Sequence, residues 1–324
     1  MKYLKIIGIV LLVIIAVILL FLVISYINHK IQLDKEAEIF QTNGTLVDVN
    51  GHKMNVYTAG NTSGEFTLVF MSGAGTCSPT LDFKTLYSLF EDDYRIAVVE
   101  KAGYGFSDVS DSPRDIDTML DETRLALQKV GINGGYVLFP HSMSGIEALY
   151  WANKYPDEVK GIVGLDPAVP QAYADMVISS LPQSIAKFGI ESGIVRFIPS
   201  IVEDSAAIKY GTLTEDEKEL YKAIFYRRTM NESMMNETKC VKDNAAKLAK
   251  IDNTDVPMLF FASNGEGTGY DKETWRGYIE NYIKGNPNGE FVALECSHYV
   301  HDIEYQTIYE QSLKFIDELQ EVTQ

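Results

Sequence analysis

The feature that most constrains this chain is an uncharged run of 22 residues near its start, Ile6 to Ile27, which consists almost entirely of Ile, Leu, Val and Phe. As an α-helix this run is about 33 Å long, and the hydrocarbon core of a bilayer is about 30 Å thick. The run continues through Phe21 to Tyr26 without the small-residue pattern of a cleavage site, which favours a transmembrane helix. A cleaved signal peptide is the alternative interpretation.

The charge of the chain lies outside this run. No Asp or Glu precedes Asp34, and taking Lys2 and Lys5 away from a formal net charge of -17 leaves -19 for the rest. Phosphate backbones and anionic lipid headgroups repel so acidic a surface, which excludes nucleic acid as a partner and leaves apolar contact as the means of membrane binding. The early lysines favour a cytoplasmic N-terminus at residues 1–5. We therefore expect a single-pass protein of the cell membrane with its large domain outside the cytoplasm.

Short apolar runs alternate with helical patterns through much of the remaining chain, and the first two runs flank Asn50-Gly51, a dipeptide typical of tight hairpin turns. Such alternation is typical of an α/β domain with a mostly parallel sheet covered by helices on both faces. The predicted strands are 45–49, 53–58, 66–71, 95–100, 136–139, 161–165, 258–262 and 290–295, and the predicted helices are 81–90, 116–130, 144–155, 272–283 and 308–319.

The alternation stops between residues 170 and 254. This stretch shows no convincing strand pattern, yet it is too apolar for a linker and contains a helix-capping box from Thr214 to Glu217. We interpret it as a helical cap inserted into the α/β domain. The expected organisation is a transmembrane helix at 6–27, a linker at 28–41, the first part of the core at 42–169, the cap at 170–254 and the second part of the core at 255–324.

A serine occupies a tight turn between a predicted strand and a predicted helix, in Pro140-His141-Ser142-Met143-Ser144-Gly145. Such a strained strand-to-helix turn requires small residues on either side of the serine. Taking Ser144 as the nucleophile instead puts the bulky Ile146 where a small residue is needed, so Ser142 is preferred. The segment resembles the nucleophile elbow of the α/β-hydrolase family, usually Gly-x-Ser-x-Gly, although Pro140 and Ser144 replace the two glycines.

Two further segments are similar to this family. Ser72-Gly73-Ala74-Gly75 follows the first long strand, where relatives usually carry His-Gly, and the resemblance implies an oxyanion hole formed by the backbone N–H groups of Ala74 and Met143. The segment from Glu100 to Asp108 resembles the Asp-x-x-Gly-x-Gly-x-Ser segment of the family, whose role is structural. The resemblance covers about residues 45–169 and 255–319.

The general base of such a site is one of five histidines, and the resemblance selects His298. It follows the last predicted strand in Cys296-Ser297-His298, where relatives carry their catalytic histidine, and it comes after the nucleophile in chain order. His301 is the lesser candidate. His141 is a non-catalytic filler in the family, while His29 adjoins the membrane run and His52 lies in the opening hairpin.

The acid that orients this histidine has two candidates. The resemblance implies a carboxylate shortly after strand 258–262, where Ser263-Asn264-Gly265-Glu266 places Glu266, and this residue is favoured. Asp166, at the end of the preceding predicted strand, is the alternative acid, although a carboxylate there is more commonly a turn or capping residue.

Together these residues predict a serine hydrolase that acts on a small-molecule acyl substrate, preferably a carboxylic ester, through a catalytic triad and an acyl-enzyme. A serine nucleophile argues against dehalogenase or epoxide-hydrolase chemistry, which uses Asp in this fold. The alternatives are a non-catalytic ligand-binding protein on the same scaffold and an aminopeptidase-like amide hydrolase, for which Glu203 or Asp204 would hold the substrate amine. No cofactor is expected, and Cys77, Cys240 and Cys296 lack the spacing of a zinc site or disulfide framework.

Overall fold

The computed structural model describes residues 2–62, 64–174 and 176–323. Its strands are β1 Thr45–Val49, β2 His52–Gly60, β3 Thr67–Met71, β4 Arg95–Glu100, β5 Tyr136–Pro140, β6 Val159–Leu165, β7 Met258–Ala262 and β8 Gly289–Ala293. Its helices are α1 Lys2–Glu36, α2 Pro79–Asp82, α3 Lys84–Tyr87, α4 Ile116–Lys129, α5 Ser144–Lys154, α6 Pro170–Ala174, α7 Ser180–Glu191, α8 Ser200–Glu203, α9 Ala206–Lys209, α10 Glu215–Arg228, α11 Glu232–Leu248, α12 Lys272–Ile283, α13 Val300–Ile303 and α14 Tyr305–Thr323, with a 3-10 turn at Ile194–Phe197.

The strands form one mixed sheet in the order β1-β2-β4-β3-β5-β6-β7-β8 across the described residues. The hairpin strand β2 runs antiparallel to β1 and β4, whereas every pair of neighbours from β4 through β3 to β8 is parallel. The predicted α/β class with a mostly parallel sheet is therefore confirmed. Between β6 and β7, the described residues 170–174 and 176–254 contain helices and no strand.

Both faces of the sheet are buried, because strand side chains alternate between two apolar clusters. On one face, Leu138, Ile162 and Phe260 pack with residues of α4, α5 and α12. On the other face, the strands pack against α3, α13 and α14, with Phe139 and Phe261 among the buried side chains. A third cluster joins cap helices α8, α9 and α10 to the loops of the core.

The first helix is longer than the predicted span. It continues beyond Ile27 to Glu36, so the expected linker at 28–41 is corrected: its first nine residues are helical. The cap stabilises this extension, because Arg196 forms a bidentate ion pair with Glu36 at 2.6 and 2.8 Å and Arg227 donates to the Leu33 carbonyl at 2.6 Å. The predicted helix at 81–90 is also corrected, since it is divided into α2 and α3 at Phe83.

A buried carboxylate holds the loop after β4. Glu100 is fully buried, and its two oxygens accept hydrogen bonds from the Phe106 N–H at 2.7 Å, the Thr80 hydroxyl at 2.8 Å and the Asn55 amide at 3.0 Å. A Cβ on Gly105 would lie 2.1 Å from Glu100 Oε2, so only glycine allows the loop to close over the carboxylate. The structural role that the resemblance implied for this segment agrees with these contacts.

We predict that Glu100→Ala lowers the free energy of unfolding by about 3 kcal/mol, because the substitution leaves three donors unsatisfied in the core. The measurement is urea unfolding of the full chain in detergent micelles. The control is Glu310→Ala, at an exposed position of α14, which we expect to change the stability by less than about 0.5 kcal/mol. Equal effects of the two substitutions would contradict the structural role of Glu100.

Candidate active site

The candidate residues meet at the edge of the sheet where the parallel strands have their carboxyl ends. Ser142 follows β5, Asp166 follows β6 and His298 follows β8, while Ala74 lies in the loop after β3. Open α/β sheets bind ligands at this edge, because successive strand-to-helix loops converge there. The cap covers the same edge, and together they enclose a cavity of about 280 Å³.

Ser142 lies on a strained turn between β5 and α5. Its φ of 56° is in the left-handed region, which non-glycine residues adopt at a cost of about 1–3 kcal/mol. Two glycines make room for the turn: a Cβ on Gly73 would lie 2.6 Å from Ser142 Cβ, and one on Gly145 would lie 2.4 Å from the Ala168 carbonyl. The close packing that a nucleophile elbow requires is therefore present, although Pro140 and Ser144 replace the usual glycines.

Ser144 has a structural environment. Its side chain is buried, and its hydroxyl lies 2.6 Å from the Met71 carbonyl and 2.9 Å from the His141 carbonyl. Met71 is the last residue of β3, so Ser144 connects the elbow to the loop that carries Ala74. This role was not predicted, and the only signal for it in the sequence is a small polar residue where a glycine is usual.

His298 is paired with Asp166. The distance between His298 Nδ1 and Asp166 Oδ2 is 2.5 Å, and the Asp166 side chain is completely buried. The other oxygen of Asp166 accepts hydrogen bonds from the Ser263 N–H and the Trp275 indole N–H, both at 2.7 Å. Hydrogen bonds to both of its oxygens therefore fix the orientation of this carboxylate toward the imidazole.

The expectation that Glu266 orients His298 is corrected by this geometry. Glu266 is exposed, and its contact with His298 is made by its main chain, whose carbonyl accepts the His298 N–H at 2.9 Å. The loop after β7 winds through three positive-φ glycines, Gly265, Gly267 and Gly269, and serves to brace the histidine loop. The alternative acid, Asp166, occupies the position beside the imidazole.

The other histidines do not compete for this role. His141 is buried against His298, and burial lowers its pKa well below the usual value, so it is neutral. His301 is also fully buried, and burial together with the neighbouring His298 lowers its pKa to about 3. His29 lies in α1 and His52 in β2, away from the cavity.

The candidate oxyanion donors line the same cavity as Ser142 and His298. Ala74 and Met143 both contribute to its wall. Within the described part of the chain, neither backbone N–H group donates to a protein acceptor, so both are available to a ligand oxygen. Tyr104 braces the first loop, since its hydroxyl accepts the Gly75 N–H at 3.4 Å and donates to Glu237 of the cap at 2.7 Å.

Comparison with known proteins agrees with this architecture. The family model described as the alpha/beta hydrolase fold matches residues 67–231. The uncharacterized protein YbdG of Bacillus subtilis (strain 168) is 38% identical over 318 residues, which is 96% of this chain and 97% of that protein. The uncharacterized protein YqjL of the same organism is 32% identical over 103 residues, or 32% of this chain and 40% of that protein.

Solved structures show the same fold at low sequence identity. The haloalkane dehalogenase DbeA-M1 loop variant from Bradyrhizobium elkanii has a TM-score of 0.62 at 16% identity, with 86% of this chain and 97% of that chain covered. The epoxide hydrolase of Bacillus megaterium has a TM-score of 0.61 at 15% identity, with 84% of this chain and 100% of that chain covered. The chain belongs to the α/β-hydrolase fold family, and its class is that of a hydrolase.

We predict opposite effects on stability for the two serines of the elbow. Ser142→Gly should raise the free energy of unfolding by about 1 kcal/mol, because glycine adopts a positive φ without strain. Ser144→Ala should lower it by about 1 kcal/mol, because the variant loses the buried hydroxyl that links the elbow to the Met71 carbonyl at the end of β3. Urea unfolding of the full chain measures both changes. A loss of stability in Ser142→Gly would be inconsistent with a strained elbow.

Proposed function

We propose that the protein is a serine hydrolase that cleaves carboxylic esters, with Ser142 as nucleophile, His298 as general base and Asp166 as the acid that orients it. The observation that carries the proposal is the pairing of buried Asp166 with His298, whose imidazole lines one cavity together with a serine on a strained turn. Strained backbone turns and buried pairs of titratable side chains are concentrated at functional sites. Ser142 at the elbow favours acyl transfer over the chemistry named for the structural neighbours.

The proposed reaction has two steps. In the first, the Ser142 hydroxyl loses its proton to His298 Nε2 and its oxygen bonds to the ester carbonyl carbon; the bond to the alkoxy oxygen then breaks, and His298 protonates the leaving alcohol. In the second, a water loses its proton to His298 and adds to the acyl-enzyme, and the Ser142 oxygen leaves with that proton. The carboxylic acid is released, and the backbone N–H groups of Ala74 and Met143 stabilise the oxyanion in both steps.

The wall of the cavity supports an uncharged substrate. Within the described residues, it contains no Asp, Glu, Lys or Arg side chain and is formed largely by apolar and aromatic groups, among them Met176, Ile178 and Tyr173. Substrates with a free amine need a carboxylate partner, and the two suggested by the sequence are elsewhere. Glu203 is paired with Lys222 and Asp204 with Lys209 on the exposed surface of the cap, which disfavours an aminopeptidase.

We also propose that α1 holds the enzyme in the cell membrane as a single-pass span, with the large domain outside the cytoplasm. Over the described residues, one helix, Tyr3–Glu36, is long and apolar enough to cross a membrane. Two features support its retention as part of the mature protein: the side chains of its first half are exposed to the surroundings, and those near its end, such as Ser25 and His29, are buried against the cap. A cleaved signal peptide has no reason for such specific contacts.

We predict that a fluorophosphonate probe labels the full chain at Ser142 and that Ser142→Ala abolishes both the labelling and the hydrolysis of p-nitrophenyl butyrate. The control Ser144→Ala should still be labelled, since its hydroxyl contacts only backbone carbonyls. Mass spectrometry identifies the modified residue. A membrane-impermeant probe should label intact cells as well as permeabilised ones if the domain faces outward. Unlabelled native protein would indicate a non-catalytic ligand-binding protein instead.

We predict that Asp166→Asn lowers kcat for the same ester by about 10⁴-fold, because an amide neither fixes the imidazole tautomer nor stabilises the imidazolium. Glu266→Gln is the matched control, and we expect its kcat to stay close to that of the native enzyme. Steady-state kinetics of both variants in detergent micelles test this difference. A large loss in Glu266→Gln with little change in Asp166→Asn would reverse the assignment of the acid.

A further inference from the structure

The cap carries an apolar surface that the rest of the described chain leaves largely exposed. Its residues are Val177, Leu181, Ile185, Phe188, Phe197 and Ile201, which we call the cap face. All six are exposed, from 47% for Ile201 to 89% for Val177. Three of them recur at helical spacing along α7, so they form one stripe of that helix. Contiguous exposed apolar surface of this kind indicates an interaction site.

The segment that contains the cap face is also unusual in charge. Residues 176–202 include only Lys187, Glu191 and Arg196 as charged residues, in a chain whose net charge is -17. Arg196 is paired with Glu36 of α1, and Lys187 lies 3.7 Å from Glu191. The repulsion that keeps the acidic domain away from anionic headgroups is therefore absent from this part of the surface.

The position of the cap on α1 decides what covers this surface. Phe197 packs against Phe21 with 5.3 Å between ring centroids, and the Ser25 hydroxyl donates to the Ser192 carbonyl at 2.8 Å. Phe21 lies six residues, or about 9 Å along the helix, inside the apolar end of the span at Ile27. If the proposed span ends at the membrane surface near Ile27, the cap residues that contact Phe21 lie at or below the level of the lipid headgroups.

The join between cap and span is close and specific. A Cβ on Gly193, whose φ is +76°, would lie 2.5 Å from His29 Cβ and 2.8 Å from the Ser25 carbonyl, so the two segments touch through their backbones. Arg196 adds a hydrogen bond to His29 Nδ1 at 2.9 Å and the ion pair with Glu36. Because α7 ends at Glu191, one residue before Ser192, its C-terminal end is held at the span.

The start of the same surface is a wall of the catalytic cavity. Met176 and Ile178 line the cavity, whereas Val177 between them faces outward as one of the most exposed apolar side chains. Successive side chains of an extended segment point to opposite sides, so one short stretch of chain separates the cavity from the cap face. A compound that leaves the lipid at Val177 would therefore reach the cavity across this segment.

We propose that the cap face lies in the lipid leaflet that surrounds the outer end of α1, and that the substrate is an ester dissolved in that leaflet, which enters the cavity past residues 176–179. This inference rests on the proposed membrane anchoring and ester hydrolysis. An amphipathic helix of this kind is typically buried about 5–10 Å into the boundary of headgroups and acyl chains.

The first test measures depth in the membrane with the full chain in nanodiscs of phosphatidylcholine brominated in its acyl chains. Three single variants carry a tryptophan reporter: Ile14→Trp in the span, Phe188→Trp on the cap face and Glu318→Trp on α14, whose C-terminal part packs near the start of β6 at the opposite edge of the sheet. The native tryptophans, Trp151 and Trp275, are buried and contribute the same background to all three.

We expect the brominated lipid to quench Ile14→Trp and Phe188→Trp to a similar degree and to leave Glu318→Trp at the background level. Quenching of Ile14→Trp alone would overturn the lipid contact of the cap face while the anchoring stands. If none of the three reporters were quenched above the background level, the anchoring and the lipid contact would be overturned together. If a second copy of the chain covered the cap face, it would shield Phe188→Trp from the lipid. The quenching would then change with the number of copies per disc, and this result would also overturn the proposal.

The second test concerns the substrate. Ile185→Asp should lower the turnover of a long-chain p-nitrophenyl ester held in the nanodisc by about tenfold, the factor that corresponds to losing the burial of one large aliphatic side chain. It should leave the turnover of water-soluble p-nitrophenyl acetate unchanged. Ile251→Asp, at an exposed isoleucine outside the cap face, is the matched control and should alter neither rate.

Equal losses with both esters in Ile185→Asp would overturn supply from the lipid. Turnover of neither ester by the native chain would instead overturn the proposed hydrolysis, and the quenching result would still decide whether the cap face contacts lipid.

Discussion

The site depends above all on one buried carboxylate. Asp166 is withdrawn from water completely, and an ion in that position is tolerated only when hydrogen bonds replace its hydration. Its three donors come from the residue after β7, from α12 and from the loop after β8, so the carboxylate joins three separate elements at the edge of the sheet. The orientation of His298 is a consequence of this arrangement.

A second set of contacts connects the loop that carries Ala74 to the cap. The loop that presents Ala74 is braced by Tyr104, whose hydroxyl reaches Glu237 on α11, and Glu237 also contacts Lys101 of the core. Ser144 holds the same loop from the side of the elbow. The loop that carries Ala74, a proposed oxyanion donor, is therefore held by contacts from both the core and the cap.

The cap is in turn joined to the membrane helix, which extends past the apolar run as far as Glu36. Ion pairs and hydrogen bonds from Arg196 and Arg227 keep the extension helical. Since the extension lies against α10 and the turn at Ile194–Phe197, α1 supports the cap as well as providing the proposed span. In the proposed arrangement the cap is the part of the protein that meets the lipid, and the sheet lies on the far side of it.

The sequence by itself determined the sheet, the position of the elbow and the candidate span. Strand and helix patterns are local, since they follow from the alternation of apolar side chains. Ser142 is recognisable because the strand, the tight turn and the helix around it are contiguous in the chain. The sequence also placed both carboxylates after neighbouring strands, which made Glu266 and Asp166 the two candidate acids.

Only the tertiary structure shows which of the two carboxylates lies beside the imidazole of His298. The directions of the two side chains depend on how the loop after β7 folds and on where Trp275 of α12 and Ser263 place their N–H groups, and none of these is encoded near Asp166 in the chain. The same holds for the extension of α1, because residues 28–36 are polar enough to be read as a linker and become helical against a partner some 160 positions away. Local patterns reveal which elements form, whereas contacts between distant residues determine which polar groups are buried together.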